Sequence, residues 1–230
     1  MYKNLITTIA LGSGALLWAS AASAGPVSIY AATGGNAPTL IAGPVAGGTS
    51  VSAFPLGTWS ITASATGTPP LASGFFDSNT IDVQSTGAGV LHVWATETGL
   101  TSPLGAVPFE STFTSNTMTV NITSSLEQTC VDPANGTPTT TTNCSNPSNL
   151  SQNTFTAIGS VGPLIATSPT LGPGPYSLTE EYTITATGAG NTNLTINIQP
   201  APVPEPASLT LLGSALVGLG WLGRRRRMAS

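Results

Sequence analysis

Between Gly25 and Ala201 the chain alternates apolar and polar residues with a period of two almost throughout. Trp59, Ile61, Ala63 and Ala65 interleave with Ser60, Thr62, Ser64 and Thr66, the pattern of a strand with one face buried and one in water. Tyr182, Ile184 and Ala186 interleave with Glu181, Thr183, Thr185 and Thr187, and Leu194, Ile196 and Ile198 follow the same rule. Met118, Val120 and Ile122 do so as well, which predicts a strand over 117–123. Further strands are expected at 27–31, 50–54, 80–84, 107–113 and 154–158. Gly, Pro and Asn punctuate the intervals, as in Thr68-Pro69-Pro70 and Gly172-Pro173-Gly174-Pro175, and no stretch carries a helical period. Many short strands at fairly even spacing predict an all-β body, a single antiparallel β-sandwich of Ig-like or jelly-roll type.

One strand differs. In Val90 to Thr96, Leu91, Val93 and Ala95 form one face, and Val90, His92 and Trp94 the other. A strand apolar on both sides belongs in the middle of a sheet.

The two ends break the pattern. At the N-terminus Lys3 precedes an apolar run from Leu5 to Trp18, and Ala22-Ser23-Ala24 offers small residues ahead of Gly25. That order is a secretory signal helix cut by signal peptidase, with the site marked by Ala22 and Ala24. At the C-terminus Val203-Pro204-Glu205-Pro206 leads into an uncharged run from Ala207 to Gly223, closed by Arg224, Arg225, Arg226 and Arg227. The run is just long enough for a transmembrane helix, Trp221 sits at an interfacial position, and the arginines act as a cytoplasmic stop. The prolines hold Glu205 in an extended, accessible segment outside the bilayer. Residues 1–24, 25–201 and 202–230 are therefore expected to be signal, body and tail.

The ordered series of Pro-Glu-Pro motif, apolar helix and Arg224 to Arg227 resembles the PEP-CTERM sorting domain of Gram-negative bacteria. The resemblance covers only the tail. It implies passage through the inner membrane, transient anchoring there, and processing by exosortase, a membrane cysteine enzyme. It also implies a final place at the cell surface or outside the cell, in bacteria that make exopolysaccharide.

Setting the ends aside changes what the composition means. The whole chain has 5 basic and 9 acidic residues, but Lys3 and the four arginines all lie in targeting segments. The body holds no Lys or Arg, and His92 is its only cationisable side chain. Ion pairs cannot organise such a domain, and it has nothing with which to neutralise nucleic-acid phosphates. Apolar burial and backbone hydrogen bonds must carry stability, with Ser, Thr and Asn providing solubility.

Cys130 and Cys144 are the only cysteines. In an exported protein they are expected to form a disulfide, closing a loop that holds Asn135-Gly136, itself expected to turn as a two-residue hairpin.

Candidate chemistry is sparse. His92 lies mid-strand between apolar neighbours, as a structural histidine would, and no Gly-x-Ser-x-Gly elbow accompanies it. Glu180 and Glu181 would point to opposite faces of a strand. Asp77, Asn79 and Asp82 offer oxygen ligands near one expected loop but match no calcium motif, so no metal and no cofactor are expected. Trp59 shares the parity of a core face, which leaves Tyr30, Tyr176 and Tyr182 as candidates for a sugar-stacking surface. Asn121, Asn135, Asn143, Asn149 and Asn193 sit in N-x-[ST], matches that chance supplies in so Ser- and Thr-rich a body.

The expected function is that of a non-enzymatic surface or extracellular-matrix protein, linked to extracellular polysaccharide. A carbohydrate-binding module is the alternative. The Thr-rich faces also allow an ice-binding protein, and His92 or a carboxylate pair a hydrolase.

Overall fold

The computed structural model describes residues 25–68, 71–72, 74–140, 148–202 and 214. The signal helix, the sorting motif from Val203, the transmembrane helix apart from Ser214, and the arginines lie outside the described residues. Among those described, twelve strands form two six-stranded sheets. In chain order they are β1 (Pro26–Thr33), β2 (Thr39–Ala46), β3 (Gly48–Leu56), β4 (Trp59–Thr66), β5 (Phe76–Ser85) and β6 (Ala88–Leu100). They continue with β7 (Pro108–Met118), β8 (Ile122–Asp132), β9 (Ser148–Phe155), β10 (Gly159–Thr167), β11 (Tyr176–Thr187) and β12 (Gly190–Pro200). One sheet runs β2-β1-β6-β11-β8-β9 and the other β10-β7-β12-β5-β4-β3, every pairing antiparallel. The expected antiparallel β-sandwich is what the chain forms, and β6 is central between β1 and β11.

The core lies between the sheets, where the alternating residues meet. Ile61, Ile81, Val83, Phe76, Phe113 and Ile196 of one sheet pack against Ile29, Leu91, Val93, Leu178 and Ile184 of the other, all fully buried. Burial of this apolar surface is the main stabilising term, at roughly 25 cal/mol per Å².

The predicted strand over 117–123 is not one. Val120 is 92 % exposed at the tip of the turn joining β7 to β8, whose ends are tied by Ile122 N donating to Thr119 O. The alternation runs on through the turn by chance of parity, since period two records side-chain direction and not chain reversal. β2 and β10 were not legible, and both are edge strands interrupted by Gly-Pro, at Gly43-Pro44 and Gly162-Pro163. At both sites the ladder shifts register. A side chain at Gly43 would strike the Val27 carbonyl, and one at Gly162 would come 2.8 Å from the Ser111 carbonyl. Glycine lets the bulge sit against its neighbour, while proline removes an edge donor that a foreign strand would need.

Antiparallel pairing throughout sorts the connections into two poles. The links at 34–38, 57–58, 86–87, 119–121, 156–158 and 188–189 gather at one end, a pole of tight turns. β4, β6, β8 and β10 end at the other pole, and β5, β7, β9 and β11 start there, which makes it the pole of loops. Gly25 and Ala201 are both at the loop pole, where Gly25 N donates to Thr68 O at 3.0 Å and Ala201 N to Pro108 O at 2.7 Å. Strands of about ten residues, at about 3.3 Å each, set the poles about 30 Å apart.

Candidate functional site

At the turn pole, the β1–β2, β3–β4 and β5–β6 turns enclose an open pocket of about 300 Å³. Its lining includes Thr33, Gly34, Gly57, Thr58, Trp59 and Gly89. Gly34 and Gly57 have φ of 55° and 62°, the left-handed conformation these turns require. Gly89 lies beside the Trp59 indole, where an added methyl group would sit in ordinary contact, 3.7 Å from Nε1. Trp59 belongs to the core, as its parity predicts, but glycines at the turns leave the pocket open above it. No lining residue is charged. The arrangement offers an apolar floor with hydroxyls and backbone groups at the rim, and thus suits a neutral, polar ring.

The other sugar-stacking candidates behave differently. Tyr176 and Tyr182 are buried, against expectation, because both point between the sheets with Leu178 and Ile184. The Tyr176 hydroxyl donates to Ser102 O at 2.7 Å, and the Tyr182 phenol shares a hydrogen bond with Ser78 of the opposite sheet. Only Tyr30 keeps partial exposure.

His92 lies on the outer face of its sheet with Trp94 and Glu181. Its ring stacks on Trp94, with centroids 5.6 Å apart and planes at 12°. Nδ1 lies 3.0 Å from Thr183 Oγ1 and 3.9 Å from Glu181 Oε1. A hydroxyl, an imidazole and a carboxylate are thus brought together. A proton relay, however, needs nucleophile and acid on opposite ring nitrogens, and here both lie at the same one.

The carboxylates are where sequence reading failed most. Glu97, Glu127, Glu180 and Glu181 are all fully buried. Glu180 and Glu181 do face opposite sides, Glu181 towards His92 and Glu180 into the core with Tyr182. Glu127 of β8 pairs with Tyr182 in register, so its carboxyl shares the interior with that of Glu180. The polar groups that reach this pair are the Thr114 backbone at Glu127 and Ser78 at Glu180, and neither offsets the burial. Burial pushes Glu127 up to about 8. Burial pushes Glu180 well above the usual range, and the negative charges of Asp77 and Glu127 push it further. At neutral pH these two are therefore neutral acids. The signal was present in parity alone: Glu127 alternates in step with Ser125, Thr129 and Val131, and Glu180 with Tyr182 and Ile184.

Glu97 sits at the loop pole. Its Oε1 accepts the Thr68 N–H at 2.7 Å, its Oε2 has no partner, and burial pushes it up to about 7 against the pull of Thr68. Asp77, Asn79 and Asp82 lie in β5 rather than in a loop, and Asn79 Nδ2 donates to Thr66 Oγ1 at 2.8 Å. Among the described residues no three acidic, histidine or cysteine side chains converge as metal ligands.

Cys130 is buried in β8 and is not a free thiol, while Cys144 lies outside the described residues. Asn135-Gly136 does not make a two-residue hairpin. The Asp132 carboxylate accepts the N–H groups of Ala134 and Gly136, and the loop crosses its own sheet. Asn135 Oδ1 accepts from Gly99 N, and Gly136 O from the Ser177 hydroxyl.

Compared with known families, the chain matches the PEP-CTERM protein-sorting motif over residues 202–227. That span takes in Val203 to Pro206 and Arg224 to Arg227. No curated protein matches the chain. Among solved structures it is similar to the enzymatically active domain of a bacteriophage CBA120 tailspike, at 14% identity and TM-score 0.32 over 63% of this chain and 19% of that one. It is similar to the adhesin domain of Epf from Streptococcus pyogenes, at 11% identity and TM-score 0.37 over 78% of this chain and 60% of the other. It is also similar to TmCBM61, solved with β-1,4-galactotriose, at 5% identity and TM-score 0.28 over 63% and 89% of the two chains. This chain spans less than two thirds of the length of the first two of these structures.

Proposed function

We propose that this is an exported protein sorted by exosortase, with a non-catalytic β-sandwich body that ends at the cell surface or in the extracellular polysaccharide matrix. The observation that carries the reading is the sorting-motif match over 202–227. In this reading signal peptidase cuts after Ala24, Cys130 and Cys144 join once outside the cytoplasm, and exosortase acts at Pro204-Glu205-Pro206 while Arg224 to Arg227 hold the tail at the inner membrane. The position of Ala201 supports a definite orientation. A tail leaving from the loop pole keeps that pole next to the membrane and presents the turn pole outward. The test is Glu205→Ala, with the mature C-terminus mapped by mass spectrometry. Retention of the tail is expected, and an unchanged mature C-terminus with normal surface display would remove the sorting role.

A second reading, a carbohydrate-binding module, is favoured by the uncharged pocket over Trp59, which lies on the outward pole. Retention on immobilised neutral polysaccharide is expected, and Thr58→Arg at the exposed rim should abolish it. Unchanged retention in that variant would place binding elsewhere.

A further inference from the structure

Glu97 is a fully buried carboxyl in a body without lysine or arginine, and it rests against the residue at which the signal segment is expected to end. Gly25 is buried at the start of β1, and its N–H donates to Thr68 O at 3.0 Å. A β-carbon on Gly25 would stand 2.7 Å from Glu97 Oε1 and 2.6 Å from Thr98 O. The backbone nitrogen is about 2.5 Å from such a β-carbon, which keeps it within about 5 Å of that oxygen. Gly67 closes on the carboxyl as well: a β-carbon there would stand 2.5–2.7 Å from its atoms. One carboxylate oxygen is satisfied by Thr68 N, and the other has no partner.

We propose that cutting the chain after Ala24 completes this site: the new α-ammonium of Gly25 forms an ion pair with Glu97 and fastens β1 to the loop pole. The inference rests on the signal-peptide part of the proposed function. Before the cut, the Gly25 nitrogen is an amide with a single hydrogen, already used by Thr68 O. Hydrolysis adds water across the Ala24–Gly25 bond. Ala24 leaves with the new carboxylate, and Gly25 keeps an ammonium with three N–H groups. One still serves Thr68 O, and two are free for the Glu97 carboxylate. The pair replaces a carboxyl that burial holds up at about 7 with a charge that has its counter-charge, a much more favourable state for a buried group. Among the described residues the Tyr176 phenol also feels Glu97: burial pushes it up, and the Glu97 charge pushes it further. Glycine at position 25 is required by the same geometry, since any side chain would strike Thr98 O and the carboxyl.

The composition makes the idea directly testable. Lys3 is the sole lysine and leaves with the signal segment, so the α-amine is the one primary amine of the mature chain. The mature protein, recovered from its producer, is first sequenced from its N-terminus. A start anywhere but Gly25 overturns the cleavage position and the ion pair together. With Gly25 first, an amine-reactive acetyl ester is applied to folded and denatured protein. The folded amine is expected to react at least about tenfold more slowly. Acetylated and untreated protein are then compared by thermal melting, in the wild type and in Glu97→Gln. Acetylation should lower the melting temperature of the wild type and leave that of Glu97→Gln nearly unchanged. Equal reactivity in the folded and denatured protein, or equal loss on acetylation in both sequences, overturns the ion pair while leaving the cleavage position intact. If Glu97→Gln does not fold, the reactivity comparison on the wild type decides alone.

Discussion

The Ser78 hydroxyl and the Tyr182 phenol meet in a hydrogen bond across the centre of the sandwich, joining β5 of one sheet to β11 of the other. Around this contact the interior is unusually polar for a core of apolar alternation. Glu127 and Glu180 lie beside it, and the Ser111 and Thr129 hydroxyls bond 2.8 Å apart. The two sheets are thus held by apolar packing around a hydrogen-bonded, uncharged centre.

Replacing Tyr182 with Phe should cost about 1–2 kcal/mol, because the ring still packs while Ser78 loses its partner in a buried site. Chemical denaturation of the variant and the wild type measures the difference. A loss near zero would mean that Ser78 is satisfied by Ile196 O, which lies 3.4 Å away.

The interior acids reverse the usual pH dependence. Glu127 ordinarily titrates near 4.5 and in the fold near 8, so between these values the folded state keeps a proton that the unfolded chain has released. Its contribution is fully present below about pH 4.5 and declines as pH rises towards about 8. The loss is on the order of 5 kcal/mol, and Glu180 adds to it in the same direction. The melting temperature should fall from about pH 5 to about pH 9, and Glu127→Gln should flatten the fall. A rise with pH, or stabilisation by added calcium, would show these carboxylates to be ionised in the fold.

Gly67→Ala should destabilise the loop pole by a few kcal/mol, because the added methyl would come 2.5–2.7 Å from the Glu97 carboxyl, which is fully buried and would have to shift. Gly172→Ala, which would meet nothing within 4 Å, serves as the control. Equal melting temperatures for the two variants would contradict the close approach.

Reduction of the mature protein should lower stability by about 3 kcal/mol, the chain-entropy value for a loop the size of 130–144. The effect should be lost in a Cys144→Ser variant. Two alkylatable thiols in unreduced mature protein would instead show that no bond joins Cys130 to Cys144.

Much of the fold was legible because a half-buried strand writes its faces into adjacent residues. β4 was read to its ends, and β11 and β12 along their cores. β6 announced its central position by being apolar on both sides. The edge strands β2 and β10 carry no such pattern, since one face and one edge meet water and Gly-Pro breaks the ladder. β8 was hidden because buried acids and amides occupy positions where apolar residues are expected.

The candidate sites divide along the same line. The tail is a linear signal, with motif, apolar run and arginines in order, so the sequence by itself determines that the chain carries a sorting motif and that its body has no fixed cation. Only the tertiary structure decides where the acids go. Glu127 and Tyr182 are paired by register, Glu97 is closed in by Gly25, Gly67 and Thr68, and both ends of the body are placed at one pole. These relations join residues tens of positions apart, whereas alternation reports only which side of its own strand a residue faces. Strand register and sheet stacking bring the faces together, and that is a property of the whole sandwich rather than of any segment.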